Sequence, residues 1–273
     1  MMGRVPAFVR PAARRAAERI AHREGSDEIT RDAVRRAMPR RGKPTGEALA
    51  DLVAEAEAVA SQAAVAGEAS EMTVCGGLAG CPLAIGDTQN AFEGFKEVAR
   101  ALDVDKALAA RIDGPVLSHS RCKMTVCACP NGCSEPQIKD VALLARAWPQ
   151  EHPEACTKCM ACVRTCPDGC IAVGEEGVHI DRSACTGCGR CMIACRDEAL
   201  TERSAGWDVL AGGRLGRHPR LATPVNDAPL PLADALALAG RVLAFLIRHG
   251  EPEERLAAVL ERTGGGSLQA HPG

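Results

Sequence analysis

Eight of the fifteen cysteines fall into two copies of one spacing, and nothing else in the 273-residue chain constrains its fold as strongly. Cys156, Cys159, Cys162 and Cys166 read C-x2-C-x2-C-x3-C, and Cys185, Cys188, Cys191 and Cys195 repeat it. A cubane cluster needs four thiolates converging from four corners. A tight loop supplies three of them, and the chain beyond it brings the fourth. The repeat therefore predicts two [4Fe-4S] clusters and a chain that carries electrons. Zinc is the rival ion for paired C-x2-C motifs, but four closely spaced thiols per run, twice over, suit cubanes better than zinc ribbons. A disulfide framework fits poorly. The cysteine count is odd, and the N-terminal stretch has positive charge but no continuous apolar run, so a reducing cytoplasm is expected.

Four Phe, two Trp and no Tyr rule out an aromatic-rich interior. The core must be built from Ala, Leu and Val, with metal clusters as added cross-links. A formal net charge of -2 gives no argument for a nucleic-acid or membrane partner. The most apolar stretch, 235–247, contains Arg241 and is too short to span a bilayer. Gly76-Gly77-Leu78-Ala79-Gly80 lacks the dinucleotide-binding pattern, so reducing equivalents are expected from a protein donor.

Along the chain, Val5, Phe8, Val9, Ala12, Ala13, Ala16, Ala17 and Ile20 form an apolar stripe at helical spacing, which Ala33, Val34 and Ala37 continue. This predicts a small helical domain over 1–40. Pro39, Gly42, Pro44 and Gly46 open a linker over 41–70 whose second part, 48–67, reads as an alanine-rich helix. From Met72 the texture changes. Thr73-Val74-Cys75 is strand-like before a Gly-Gly turn, 90–110 is helical, Pro115-Val116-Leu117 is strand-like, and 141–147 is a short apolar strand or helix. Ile171-Ala172-Val173 and Val178-His179-Ile180 predict a hairpin between the two cysteine runs. A strand over 206–210, a turn at Gly212-Gly213, helices over 232–248 and 251–261 and a tail over 263–273 complete the expected order.

Four further cysteines suggest a third cubane: Cys75 and Cys81 at C-x5-C, Cys129 and Cys133 at C-x3-C. Gly76-Gly77 and Pro130-Asn131-Gly132 bring backbone close to something bulky and set turns that aim the thiols. Cys122, Cys127 and Cys170 read as packed thiols, the ordinary fate of free cysteine.

The repeated run resembles that of bacterial two-cluster ferredoxins, in which the fourth cysteine of each run serves the other cluster. That resemblance implies one set of Cys156, Cys159, Cys162 and Cys195 and another of Cys185, Cys188, Cys191 and Cys166, within a ferredoxin domain over 154–202. The C-x5-C pair, then Cys129-Pro130-Asn131-Gly132-Cys133-Ser134 with Ile138-Lys139-Asp140, resembles the sirohaem-cluster half of sulfite and nitrite reductases, of the dissimilatory or anaerobic type. The run Gly206-Trp207-Asp208-Val209-Leu210-Ala211-Gly212-Gly213-Arg214-Leu215-Gly216-Arg217-His218-Pro219 resembles the strand by which such proteins return to the reductase domain. The resemblance implies an α+β fold: a truncated sulfite-reductase-like half-domain (71–153 and 203–262), an inserted ferredoxin-like module with two [4Fe-4S] clusters, and the N-terminal helical unit. It implies electron flow from the ferredoxin clusters to a third cluster on Cys75, Cys81, Cys129 and Cys133, and through Cys133 to a sirohaem iron. Arg214, Arg217 and His218 are then candidates for its carboxylates or for the anionic substrate, with Lys123 and Lys139 close to the cysteine pair. Between Met38 and Cys75 the only basic residues are Arg40, Arg41 and Lys43, so a second subunit or second copy is expected to complete the anion site. The alternative is a non-catalytic multi-cluster electron-transfer protein without sirohaem. Residues 5–37 separately resemble the small helical domain of a light-independent protochlorophyllide reductase subunit.

Overall fold

A computed structural model describes residues 65–66 and 69–264, together with positions 18, 21 and 25. The expected helical domain over 1–40, most of the linker and helix over 41–70, and most of the tail over 263–273 lie outside the described residues. The first described strand, β1 (Val65–Ala66), pairs antiparallel with Glu71 and Met72, so the helix expected over 48–67 does not reach its expected end.

The main sheet continues with β2 (Ser70–Val74), β3 (Cys122–Cys127) and β4 (Val141–Glu151). A separate hairpin of β5 (Ile171–Gly174) and β6 (Gly177–Ile180) stands where the sequence predicts it. The chain returns through β7 (Leu200–Ala211) and β8 (Thr223–Pro224). Strand order is β1-β2-β3-β4-β7-β8, with β2–β3 and β3–β4 parallel and the remaining pairs antiparallel. The helices are α1 (Thr88–Ala101), α2 (Val104–Ala109), α3 (Ala161–Thr165), α4 (Arg190–Ala194), α5 (Leu232–His249) and α6 (Leu256–Thr263). The α+β class expected from the sequence holds.

Three expectations are corrected. The helix over 90–110 is two helices, broken where Asp103 takes a left-handed conformation at φ 47°. Pro115-Val116-Leu117 is not a strand. A proline has no N–H to give to a ladder, and the place beside β2 is taken by Cys122–Cys127, which alternates its side chains cleanly. The C-terminal helix begins at Leu256 rather than at 251.

Alternation divides the main sheet into two unlike faces. Met72, Cys122, Met124, Val126, Val141, Leu143, Trp207 and Val209 join the large core under α1 and α5. Gly94 lets those helices approach closely, since a Cβ there would come within 2.6 Å of Leu236. Cys122 belongs to this core, where burial pushes its thiol well up. The other face carries Glu71 opposite Lys123, Thr73 opposite Thr125, and Arg146 bonded to Asp208 at 3.0 Å. At one end of that face Cys75, Cys127, Ala142, Leu144 and Leu210 form a small second core. Among the described residues no helix is long and apolar enough to cross a membrane.

Candidate metal centres

The cysteine runs share a backbone as well as a spacing. Lys158, Met160 and Glu198 sit at φ 56°, 61° and 56°. Their counterparts, 29 positions away in the repeat, are Gly187, Gly189 and Gly169, at φ 69°, 69° and 63°. Left-handed backbone at Lys158 and Met160, and at Gly187 and Gly189, lies between the first three cysteines of each run and curls the loop so that its thiols converge, while Glu198 and Gly169 turn the chain three residues past the last cysteine. Three side-chain-bearing residues accept that conformation at about 1 kcal/mol each. A short helix follows each loop, and Cys166 and Cys195 each close it by donating N–H to the carbonyls of Cys162 (3.1 Å) and Cys191 (3.0 Å).

Two clefts result. One, of about 320 Å³, is lined by Cys156, Cys159, Cys162 and Cys195, with Val173 and Leu200 among its apolar walls. The other, of about 290 Å³, is lined by Cys185, Cys188, Cys191 and Cys166, with Ile171 and Ile180. The fourth cysteine of each run thus faces the cleft of the other run. Burial pushes the Cys162 and Cys188 thiols up, and burial together with Cys188 and Cys185 pushes Cys191 to about 12. Four sulfur donors in an apolar wall fit a cubane, and metal loading must displace these protons.

The third group forms where β2 and β3 end side by side. Cys75 donates its N–H to the carbonyl of Val126 at 3.1 Å, and its Sγ accepts from the N–H of Ala128 (3.2 Å) and of Gly77 (3.4 Å). A stack of turns from Gly76 returns the chain to Cys81, half-buried against the small core that holds Cys75 and Cys127. Cys129 is buried, and its thiol is pushed to about 11 by burial and by the nearby Cys127, Cys81 and Cys133. Gly132, at φ 67°, turns the chain so that Cys133 faces solvent, where Asn131 Nδ2 donates to its Sγ at 2.9 Å. Cys127, read from sequence as a packed thiol, shares a hydrogen bond with Cys75 that raises the Cys75 thiol and lowers its own. Its place at the open end of β3 was the available signal, because residues on that face alternate with the core positions.

All three groups hang on β4. Ala142 and Leu144 pack with Cys75 and Cys127. Ala147 donates its N–H to the carbonyl of Gly187 at 2.7 Å and bridges to Cys188, while Arg146 hydrogen-bonds the carbonyl of Thr186. Just beyond the strand, His152 donates its N–H to the carbonyl of Ala199 at 2.8 Å, before Cys156. At about 3.3 Å per residue these anchor points are roughly 10 Å and then a further 13–17 Å apart along the strand, with the Cys185 run in the middle.

The basic residues are less open than the sequence suggests. The loop after Gly213 lies beside the segment that leaves Cys133: Gly213 and Ala222 donate N–H to the carbonyls of Lys139 (2.9 Å) and Gln137 (2.7 Å). Arg214 on that loop is bound to Glu261 at 3.0 and 3.1 Å and to the carbonyl of His218 at 2.8 Å. Lys123 pairs with Glu71 at 3.6 Å and Lys139 with Glu135 at 3.7 Å. Arg217 and His218 are exposed at the tip of the loop.

Comparison with known proteins bears on this arrangement. A family model described as the nitrite and sulphite reductase 4Fe-4S domain matches residues 70–270, and one described as the proto-chlorophyllide reductase 57 kD subunit matches residues 1–37. The coenzyme F420-dependent sulfite reductase of Methanocaldococcus jannaschii is 32% identical over 148 residues, 54% of this chain and 24% of that protein. The crystal structure of dissimilatory sulfite reductase I has a similar fold, with TM-score 0.50 and 19% identity over 75% of this chain and 52% of that one. The NirA protein of Mycobacterium tuberculosis matches with TM-score 0.41 and 18% identity over 72% of this chain and 26% of its own. The chain thus spans about a quarter of the length of the F420-dependent relative and about half that of the dissimilatory enzyme.

Proposed function

Because this chain belongs to the nitrite and sulphite reductase family, whose 4Fe-4S domain matches residues 70–270, we propose that it is an iron–sulfur redox subunit whose two ferredoxin-type [4Fe-4S] clusters serve a third cluster, held by Cys75, Cys81, Cys129 and Cys133. When bound, such clusters take up and release single electrons, and a sirohaem beside Cys133 would supply the iron at which sulfite or nitrite is reduced. The observation that carries the reading is the pairing of clefts, each lined by three thiols of one run and the fourth of the other. The residues do the holding: the left-handed loop positions aim the thiols, Ala147 and Arg146 fix the Cys185 run to the sheet, and Asn131 donates to Cys133. The order of anchor points along β4 supports entry of electrons at the Cys156 set, passage by the Cys185 set and delivery at Cys133. A reducing compartment and a protein electron donor belong to the same proposal.

A second reading, electron transfer without sirohaem, is favoured by one specific observation: Arg214 is already matched by Glu261. Iron and sulfide analysis of the anaerobically reconstituted chain, with an absorption spectrum and solvent extraction of tetrapyrrole, separates the readings. About twelve irons per chain are expected for three cubanes. A stable content of about eight would remove the third cluster, and about twelve irons with no tetrapyrrole in any complex would favour the second reading.

A further inference from the structure

The second cleft has one thiol more than a cubane can use. Besides Cys166, Cys185, Cys188 and Cys191, it is lined by Cys170, which is 8% exposed. Cys170 Sγ lies 3.4 Å from Cys166 Sγ. The internal repeat supplies a control for this position. Cys170 stands four residues after Cys166, and the matching place four residues after Cys195 is Ala199, which lines the first cleft. A small apolar side chain therefore satisfies packing at this offset, and a thiol is not needed to fill it. Asp168 lies near both sulfurs but accepts a hydrogen bond from Thr186 Oγ1 at 2.7 Å, so it clamps one run to the other.

We propose that Cys170 is a reserve ligand for the second cluster, able to take the iron corner that Cys166 holds; this rests on the reading that the Cys185 run carries a cluster. The exchange is redox-neutral. The Cys166 sulfur–iron bond breaks, a Cys170 sulfur–iron bond forms, and the Cys170 proton passes to the departing Cys166 sulfur beside it. Iron keeps its oxidation state and no outside reagent is consumed. The carbonyl of Cys170 stays tied to the N–H of Asp181 at 2.8 Å, so the side chain turns while β5 remains in place. Gly169, at φ 63° with nothing within 4 Å of an added Cβ, leaves the intervening loop room to adjust. The first cluster has no such reserve, because Ala199 cannot ligate.

The test uses the full chain, reconstituted with iron and sulfide without oxygen, and reads iron content and low-temperature spin resonance. Cys166→Ala is expected to keep its full iron complement with shifted resonance, and Cys166→Ala/Cys170→Ala to lose about four irons. Cys195→Ala is expected to lose its cluster, and Cys195→Ala/Ala199→Cys to regain it. In every variant the signal of the untouched ferredoxin cluster reports that the chain has folded. The proposal is overturned if Cys166→Ala loses as much iron as the double variant, if it yields a three-iron species, or if the double variant loses none. Cys185→Ala separates the two claims: if it leaves iron content unchanged, the reading of the run as a cluster site fails, whatever Cys170 does.

Discussion

At Gly77 there is no room for a methyl group. A Cβ there would lie 2.4 Å from Thr88 Oγ1 and 2.7 Å from the Ala128 Cβ, and the same residue donates its N–H to Cys75 Sγ. Gly77→Ala must push the turn away from the sheet. It is expected to cost about 1–3 kcal/mol, as overpacking does. Iron content should fall toward that of two clusters, while the spectra of the ferredoxin-type pair persist; retention of all the iron would show that this turn does not position Cys75. The repeated runs allow a second comparison at single residues. Lys158 and Gly187 occupy matching left-handed positions, but Trp148 approaches within 3.0 Å of a Cβ on Gly187, whereas Lys158 is largely exposed. Lys158→Gly should therefore change stability by less than about 1 kcal/mol, strain relief and chain entropy nearly cancelling. Gly187→Lys should lower the denaturation midpoint markedly, and equal effects would refute the distinction. At this scale the cysteine spacing was fully legible in the sequence and the backbone beneath it was not. Lys158, Met160 and Glu198 stand where the repeat has glycines, so residue type alone conceals the shared conformation.

Between elements, a fully buried polar tie joins the start of β4 to α6. Asp140 is completely buried and accepts from Arg255 at 2.8–3.2 Å, from the N–H of Lys123 at 2.7 Å and from the N–H of Leu256 at 3.1 Å. One carboxylate thus caps a helix and fixes the spacing of β3 and β4. Arg255→Met would strand it, and the expected loss is about 3–5 kcal/mol. Asp140→Asn/Arg255→Met should recover part of that loss in a guanidinium titration, because the charge is removed along with its partner. A double variant as unstable as the single would show that packing, not charge, dominates. The same elements explain what the sequence concealed. Val141 to Ala145 are buried on both faces, so their continuous apolar run has no period to separate strand from helix. In β3 the alternation was present, with Cys122, Met124 and Val126 on one face and Lys123, Thr125 and Cys127 on the other, but both of its ends are cysteines, which read on their own as packed thiols and give no strand signal. The β5–β6 hairpin was legible because a Gly-bounded four-residue turn joins two β-branched segments with nothing else competing.

Across the described residues, β4 is a spine with three cysteine groups along it, and several basic residues of its sheet and loops are already paired with carboxylates. A sirohaem brings many carboxylates, and burying them requires cations that are not already matched. The basic candidates other than the loop tip are already paired: Arg214 with Glu261 and Lys139 with Glu135, while Lys123, at the end of β3 away from Cys133, pairs with Glu71. Arg217 and His218 remain at the exposed tip of the loop and would supply only part of a wall. The expected outcome is that this chain, expressed alone in a host that makes sirohaem and purified without oxygen, carries far less than one sirohaem per chain by extraction, while its iron content approaches three clusters. Glu261→Gln should raise the sirohaem content, since it frees Arg214 without altering the cysteine sites. If a second subunit or a second copy completes the anion site, as proposed, its addition, or self-association at high concentration, should raise the content further, because a second protein surface can supply further cations. One tightly held sirohaem per isolated chain, with turnover of sulfite or nitrite, would show instead that the existing ion pairs open on binding. Arg214 would then exchange Glu261 for a cofactor carboxylate, and Glu261→Gln, in a chain already holding one sirohaem, would leave the sirohaem content unchanged.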